Sequence, residues 1–269
     1  MNTLYRHLFL ALFIFGCKDF LAASSPILEI NSIADVRNMP TFNDHYFGPH
    51  VAFVFDADET ISQVDCMAVN WENQRQHKEA MLRAVSAFYW EVVTNATPEG
   101  FIPFLTTLYS VFENQPLAYK VTEDAWMPFL EEARSSGAYT IVVSSRRFKK
   151  DEEPARIEFF KELGFERKDL LYARRNKADI VHDWLAEKTN VTHIVFVDNL
   201  HKHCTEIMTS EKLKTYERCA FVHNGYKHYF EAHHQAILPL QLRAATKGTR
   251  LTDAMALELW IANNEKENI

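Results

Sequence analysis

Glycine is scarce, at 7 of 269 residues. That excludes a collagen-like or low-complexity chain, which needs far more of it. Cysteine is scarcer still, at 4, and no Cys-x-x-Cys pair occurs. A zinc ribbon or a thioredoxin-type redox motif therefore lacks its ligands. An excess of positive charge is also missing: 29 Lys and Arg stand against 36 Asp and Glu, a formal net charge of −7. A broad basic face for a nucleic-acid backbone is thereby disfavoured, and no nucleic-acid partner is expected. No apolar run reaches the roughly 20 residues that a membrane-spanning helix requires. What is present is globular material, 47% hydrophobic and 24% charged. That is enough to bury a core, over a length that suits one α/β domain with an insertion.

The strongest apolar run, Leu8 to Phe15, follows Arg6 and precedes Gly16 and Cys17. It fits the apolar region of a secretory signal peptide, with Leu21-Ala22-Ala23 offering small residues before a cut ahead of Ser24. The expectation is a leader over residues 1–23, export to the periplasm or beyond the cell, and no membrane span in the mature chain. Lipoprotein anchoring at Cys17 is the alternative. Cys66, Cys204 and Cys219 would remain. An odd count allows at most one internal bridge, Cys204 with Cys219 in an oxidising compartment; otherwise all three are buried thiols.

Further along, Val51–Phe55 is a continuous apolar run, as are Tyr139–Val143 and His193–Val197, with a weaker one at Cys219–Val222. Runs of this kind, apolar on both faces, mark parallel central strands. Helical patterns lie between them: Pro128–Arg134 stopping at Gly137, Ala155–Leu163 stopping at Gly164, and Lys177–Lys188. Strands alternating with helices imply a Rossmann-like three-layer α/β fold around a parallel sheet. Residues 61–123 break the rhythm. They hold helical patterns around Met81–Trp90 and Phe101–Phe112 but no core strand, and so read as an inserted helical cap. The expected division is a leader at 1–23, a core at 24–60 and 124–269, and the cap at 61–123, with a helical tail from Glu231.

The first strand runs straight into Asp56-Ala57-Asp58-Glu59-Thr60. Parallel α/β sheets bind ligands at the carboxyl ends of their strands. Two carboxylates two residues apart need a cation or a proton to be tolerated there. The second strand ends at Ser144-Ser145-Arg146, hydroxyls and a cation suited to a phosphoryl group. The third ends at Asp198-Asn199, two oxygen donors suited to a hard cation. Lys177 opens a helix between them. His201 and His203 follow directly; a second, softer-metal site there matches no metalloenzyme spacing, and exposed imidazoles at a helix start are the plain reading.

These residues, in this order, resemble the four motifs of the haloacid dehalogenase (HAD) superfamily: Asp-x-Asp-x-Thr at 56–60, Ser144, Lys177 and Asp198-Asn199. The resemblance spans residues 51–199 and implies a HAD core with a type-1 cap. It implies Asp56 as nucleophile and Asp58 as general acid and base. Ser144 and Lys177 would stabilise the transferring group. Thr60, Ser145 and Arg146 would contact the substrate. Mg²⁺ would be held by Asp56, the main-chain carbonyl of Asp58, and Asp198 with Asn199. The implied activity is hydrolysis of a small phosphate monoester through an aspartyl phosphate, with Trp71, Arg75 and His77 of the cap as substrate contacts or, more plainly, cap core and solvated side chains. One position departs from the commoner pattern. The second acid of the last motif is Asn199, as in the small RNA-polymerase-tail phosphatases. Which of Asp198 and Asn199 meets the metal directly stays open, as do oligomeric state, a phosphotransferase with the same intermediate, and a non-catalytic HAD-fold binding protein.

Overall fold

The computed structural model describes residues 27–38, 47–70, 78–113, 117–147, 154–174 and 176–267. The expected leader with Cys17, and the cap positions Trp71, Arg75 and His77, lie outside the described residues.

Strand β1 (Ile27–Ile30) leads through a 3₁₀ turn at Ile33–Asn38 to β2 (Val51–Phe55). A short ribbon strand, β3 (Ser62–Val64), is followed by helices α1 (Met67–Asn70), α2 (Lys78–Val92) and α3 (Pro98–Glu113) and by β4 (Tyr119–Val121). Then come α4 (Trp126–Ser135), β5 (Tyr139–Ser144), α5 (Pro154–Glu162), β6 (Leu170–Tyr172), α6 (Lys177–Leu185), β7 (His193–Asp198), α7 (His201–Thr209) and β8 (Glu217–His223). Two helices close the described chain, α8 (Gly225–Ala245) and α9 (Asp253–Glu267).

Six strands form one sheet in the order β1-β8-β7-β2-β5-β6, and every pairing is parallel. The central strand β2 shows why its sequence is apolar throughout. Val51, Phe53 and Phe55 face one layer with α4, α5 and the 3₁₀ turn, while Ala52 and Val54 face the other with α6 and α7. Successive side chains of a strand point to opposite faces, so a strand covered on both sides must be apolar at every position. Around Phe53 and Phe55 the packing is edge-on: Phe55 meets Trp126 at 5.3 Å and Phe53 meets Phe129 at 5.4 Å, both with rings near perpendicular. Replacing either phenylalanine by alanine would cost about 3–5 kcal/mol. Helix α4 stops where Gly137 takes φ +85°, a left-handed conformation that only glycine adopts cheaply.

The pleat also settles the cysteines. Cys66, Cys204 and Cys219 are all buried and free. Cys219 belongs to the layer with Phe53 and Phe55, whereas Cys204 packs in the opposite layer. The sheet therefore separates the two thiols expected to pair. Burial pushes both thiols above the usual range, which suits inert core residues.

Residues 61–123 contain α1, α2 and α3 between the two strands of an antiparallel ribbon, β3 with β4. Their apolar face does not close on the sheet. Val64, Met67, Met81, Val85, Phe88, Leu108 and Phe112 share a third core with Tyr226, Phe230, Ile237, Leu238 and Leu242 of α8 and Ala256 of α9. The insertion thus shares its core with residues that follow 124 in the chain. Residues 225–256 build the helical half jointly with the insertion, because neither amphipathic set can bury its face alone. Asp253 fastens the junction. Its buried carboxylate accepts from the Met67 amide at 2.6 Å, Gln241 Nε2 at 2.8 Å and Lys120 Nζ at 3.0 Å.

Candidate active site

Three neighbouring strands deliver polar side chains to one edge of the sheet. Asp56 directly follows β2, Ser144 ends β5 and Asp198 ends β7. Lys177 is the first residue of α6, where Asn176 caps the helix by accepting from the Ala178 amide at 2.8 Å. All four are buried.

The chain leaves β2 through a tight loop. The Asp56 amide still donates to Val197 of β7, at 2.8 Å. Glu59 takes φ +63°, unusual for a residue with a side chain. Main-chain bonds from Glu59 to the Ser62 carbonyl (2.6 Å) and from Ser62 to the Ala57 carbonyl (2.9 Å) hold it there. Strain of this kind costs of order 1–3 kcal/mol and persists where the surroundings impose it. The result is that Thr60 folds back onto the strand end. Its hydroxyl donates to Asp56 Oδ2 at 3.2 Å and accepts from the Asn199 amide at 2.9 Å. Thr60 is fully buried and joins the first motif to the last. It is thus placed as a support for Asp56 rather than at the surface of the cleft. Ser145 is exposed.

Lys177 Nζ bridges Asp56 Oδ1 and Asp198 Oδ2, the latter at 2.7 Å. Asp198 is saturated: Oδ1 also accepts from the Leu200 amide at 2.8 Å, and His203 Nδ1 lies 3.0 Å from Oδ2. Burial alone would raise the Asp198 carboxyl, but Lys177 and His203 hold it below the usual range. Lys177 is correspondingly raised, since the two carboxylates outweigh its burial. Asp56 goes the other way. Burial pushes its carboxyl up to about 7; Lys177 pulls against this, while the charges of Asp198 and Asp58 add to it.

Asp58 has different partners. Arg156 Nη2 donates to its Oδ2 at 2.7 Å, the Ser144 hydroxyl lies 3.3 Å from the same oxygen, and Arg146 Nη1 stands 3.8 Å from Oδ1. Arg146 in turn donates to the Tyr119 hydroxyl of the ribbon at 3.3 Å. Arg156 was not among the residues singled out from the sequence. A signal was present: Arg156, Phe159, Phe160 and Leu163 follow the i, i+3, i+4, i+7 spacing of one helix face, and that face is buried.

The site is therefore electrically divided. Formal charges around Lys177 sum to one negative, with Asp56 and Asp198 against a single lysine. Those around Asp58, among the described residues, are Arg146 and Arg156 against one carboxylate. The first half suits a hard cation. Its donors are all oxygen, and a divalent charge beside Asp56 would offset the neighbouring carboxylates that raise it. Both oxygens of Asp198 are already engaged, and Asn199 Nδ2 lies 3.2 Å from Glu59 Oε2. Among the described residues no group of three or more His, Cys, Asp or Glu could hold a metal ion. His203 is engaged by Asp198.

A scan of the chain against known protein families finds no match, and a search of curated proteins finds no significant one.

Proposed function

We propose that this chain is a Mg²⁺-dependent phosphatase of the HAD type that hydrolyses a small phosphate monoester through an aspartyl phosphate on Asp56. The observation that carries the reading is the setting of Asp56. It stands at the end of the central strand, fixed by Thr60 and Lys177, with a second carboxylate two residues on that has separate partners.

In the first step a carboxylate oxygen of Asp56 attacks phosphorus, and the bond to the ester oxygen breaks. Asp58, which must first take up a proton from solvent water as substrate displaces it from its arginine partners, gives that proton to the departing alkoxide. In the second step Asp58, now ionised, takes a proton from water. The resulting hydroxide attacks the same phosphorus, which frees Asp56 and releases inorganic phosphate. Lys177 keeps Asp56 anionic and oriented. Ser144 and Arg146 face the incoming phosphoryl oxygens. Asp56, the Asp58 main-chain carbonyl and Asn199, with Asp198 behind, would hold Mg²⁺. When bound, that ion neutralises charge on the transferring group. Export, with removal of residues 1–23, belongs to the same proposal, motivated by the Leu8–Phe15 run.

The test is the purified protein against a panel of phosphomonoesters, with Mg²⁺ and with EDTA. Phosphate release that needs Mg²⁺ and disappears in Asp56→Asn supports the reading. A folded protein that releases no phosphate from any ester in the presence of Mg²⁺ overturns it.

A further inference from the structure

Arg156 occupies a position that local rules disfavour. It lies in the first turn of α5, directly after Pro154 and Ala155, where the helix dipole repels a cation. It is also completely buried. An arginine loses much solvation on burial and is retained only against a compensating anion. Positions that break local rules without a packing reward tend to be functional.

Among the described residues the anion it holds is Asp58, and the manner matters. A single guanidinium nitrogen, Nη2, is 2.7 Å from Asp58 Oδ2 and 3.1 Å from Ser144 Oγ. Ser144 Oγ lies 3.3 Å from that same carboxylate oxygen and accepts from the Arg146 amide at 3.0 Å. The Asp58 carboxylate thus sits among the hydroxyl of Ser144 and the guanidinium groups of Arg156 and Arg146. A hydroxyl and planar, forked cations are the donors that recognise a phosphoryl group. Arg156 Nη2 and the single hydroxyl hydrogen of Ser144 both point at Asp58 Oδ2, and these two donors cannot serve that oxygen and a phosphoryl oxygen at once. The Asp58 side chain keeps 34% of its surface exposed, whereas Arg156 keeps none. The carboxylate is therefore the member that an anion arriving from solvent meets first, with the cation behind it.

We propose that Arg156 is a phosphoryl-binding residue and that Asp58 occupies its anion site until substrate displaces it. The inference rests on the phosphatase reading and adds to it a residue and an order of events. Phosphate entry breaks the Arg156–Asp58 pair, and the carboxylate it frees is the one that must turn to the leaving oxygen. Asp58 is then a competitive occupant of the phosphate site in the resting protein and leaves that site in the loaded one.

Competition between Asp58 and phosphate for Arg156 is measurable without turnover. The probe is inorganic phosphate, titrated calorimetrically in Mg²⁺ into the wild type, Asp58→Asn, Arg156→Lys and the double variant, with folding checked by thermal denaturation. Asp58→Asn should bind phosphate on the order of tenfold more tightly, because a charge-assisted competitor is gone. Arg156→Lys keeps the charge but loses the fork, and should bind on the order of tenfold more weakly. The decisive quantity is the coupling: the gain from Asp58→Asn should largely vanish in the Arg156→Lys background. A full gain retained there means that Asp58 acts only by bulk charge repulsion, and overturns the inference. So does Arg156→Lys binding phosphate like the wild type. A wild type that binds no phosphate in Mg²⁺ overturns the phosphatase reading itself, which separates the two failures.

Discussion

The sheet half and the helical half of this protein bury their polar residues for opposite ends. At the sheet edge Asp56, Ser144, Arg156, Lys177 and Asp198 are all buried, and each bonds to another member of the set. In the helical half the buried polar set centres on Asp253, which binds a main-chain amide, a glutamine and a lysine across the junction of β4, α1, α8 and α9. The first set raises a carboxyl to about 7 and leaves charge unevenly divided. The second is hydrogen-bonded throughout: Asp253 and Asp65 share Lys120, and the Tyr229 hydroxyl also donates to Asp253. Surface character differs likewise. Trp90, Val92, Ile102, Met255, Leu259, Trp260 and Ile261 are exposed in the helical half, against Met127 and Leu200 beside the sheet. Charge held against its preference marks the half where chemistry is proposed; charge fully satisfied marks the half held together by it.

The largest expected effect breaks the sheet-edge set without breaking the fold. Asp56→Asn should lower phosphatase kcat by about 10³-fold or more. It should leave the melting temperature at pH 8 unchanged or raised, since it removes a carboxylate that burial disfavours. Steady-state kinetics with a melting curve on the same sample checks both parts; a large fall in stability would contradict the division drawn above.

The converse variant is Asp253→Ala. It leaves the half-buried Lys120 with Asp65 as its carboxylate and strands the Met67 amide, at an expected cost of about 1–3 kcal/mol. Urea unfolding measures this. Limited proteolysis should cut first within 61–123 and 225–267, with the sheet strands cut last.

A smaller, pH-dependent effect belongs to Glu123, which links the ribbon to the sheet. It accepts from the Ile33 amide at 2.6 Å and lies 2.7 Å from His223 Nε2. Burial would raise its carboxyl, but these hydrogen bonds, with one from Ser32, hold it below the usual range. A carboxylate depressed in the folded state stabilises above its unfolded pKa and loses that contribution as pH falls through the folded value. Glu123→Gln should therefore cost about 1–2 kcal/mol at pH 7. The gap to the wild type should close as pH falls below about 4. Melting temperatures across that range decide it, and a gap that widened on acidification would reverse the sign argued here.

The smallest effect is at the exposed face of α9. Trp260→Ser should change stability by no more than about 0.5 kcal/mol, read from urea unfolding. A larger loss would show that this face is covered in solution.

Legibility in the sequence followed burial on both faces. β2, β5 and β7 begin where their apolar runs begin, because a central strand has no polar side to blur its edges. β6, three residues long at one sheet edge, and β1, four residues long at the other, have no such signature. The motif residues could be placed at strand ends because a strand end is itself readable. Arg156 could not, because an arginine in a first helical turn ordinarily reads as solvated, and only the register with Phe159 and Phe160 betrays it. The partner of the insertion was unreadable for a related reason. An amphipathic stripe announces that something covers it, not which segment does, and here the cover comes from residues 225–256.

That last arrangement has a consequence in time. The Met67 amide waits for an acceptor 186 positions downstream. At translation rates of about 5–20 residues per second, roughly ten to forty seconds separate the emergence of the two. Through that interval Val85, Phe88, Leu108 and Phe112 have no native cover. The newborn chain is thus expected to present a sticky helical pair for chaperones to hold, well before it can present a folded protein.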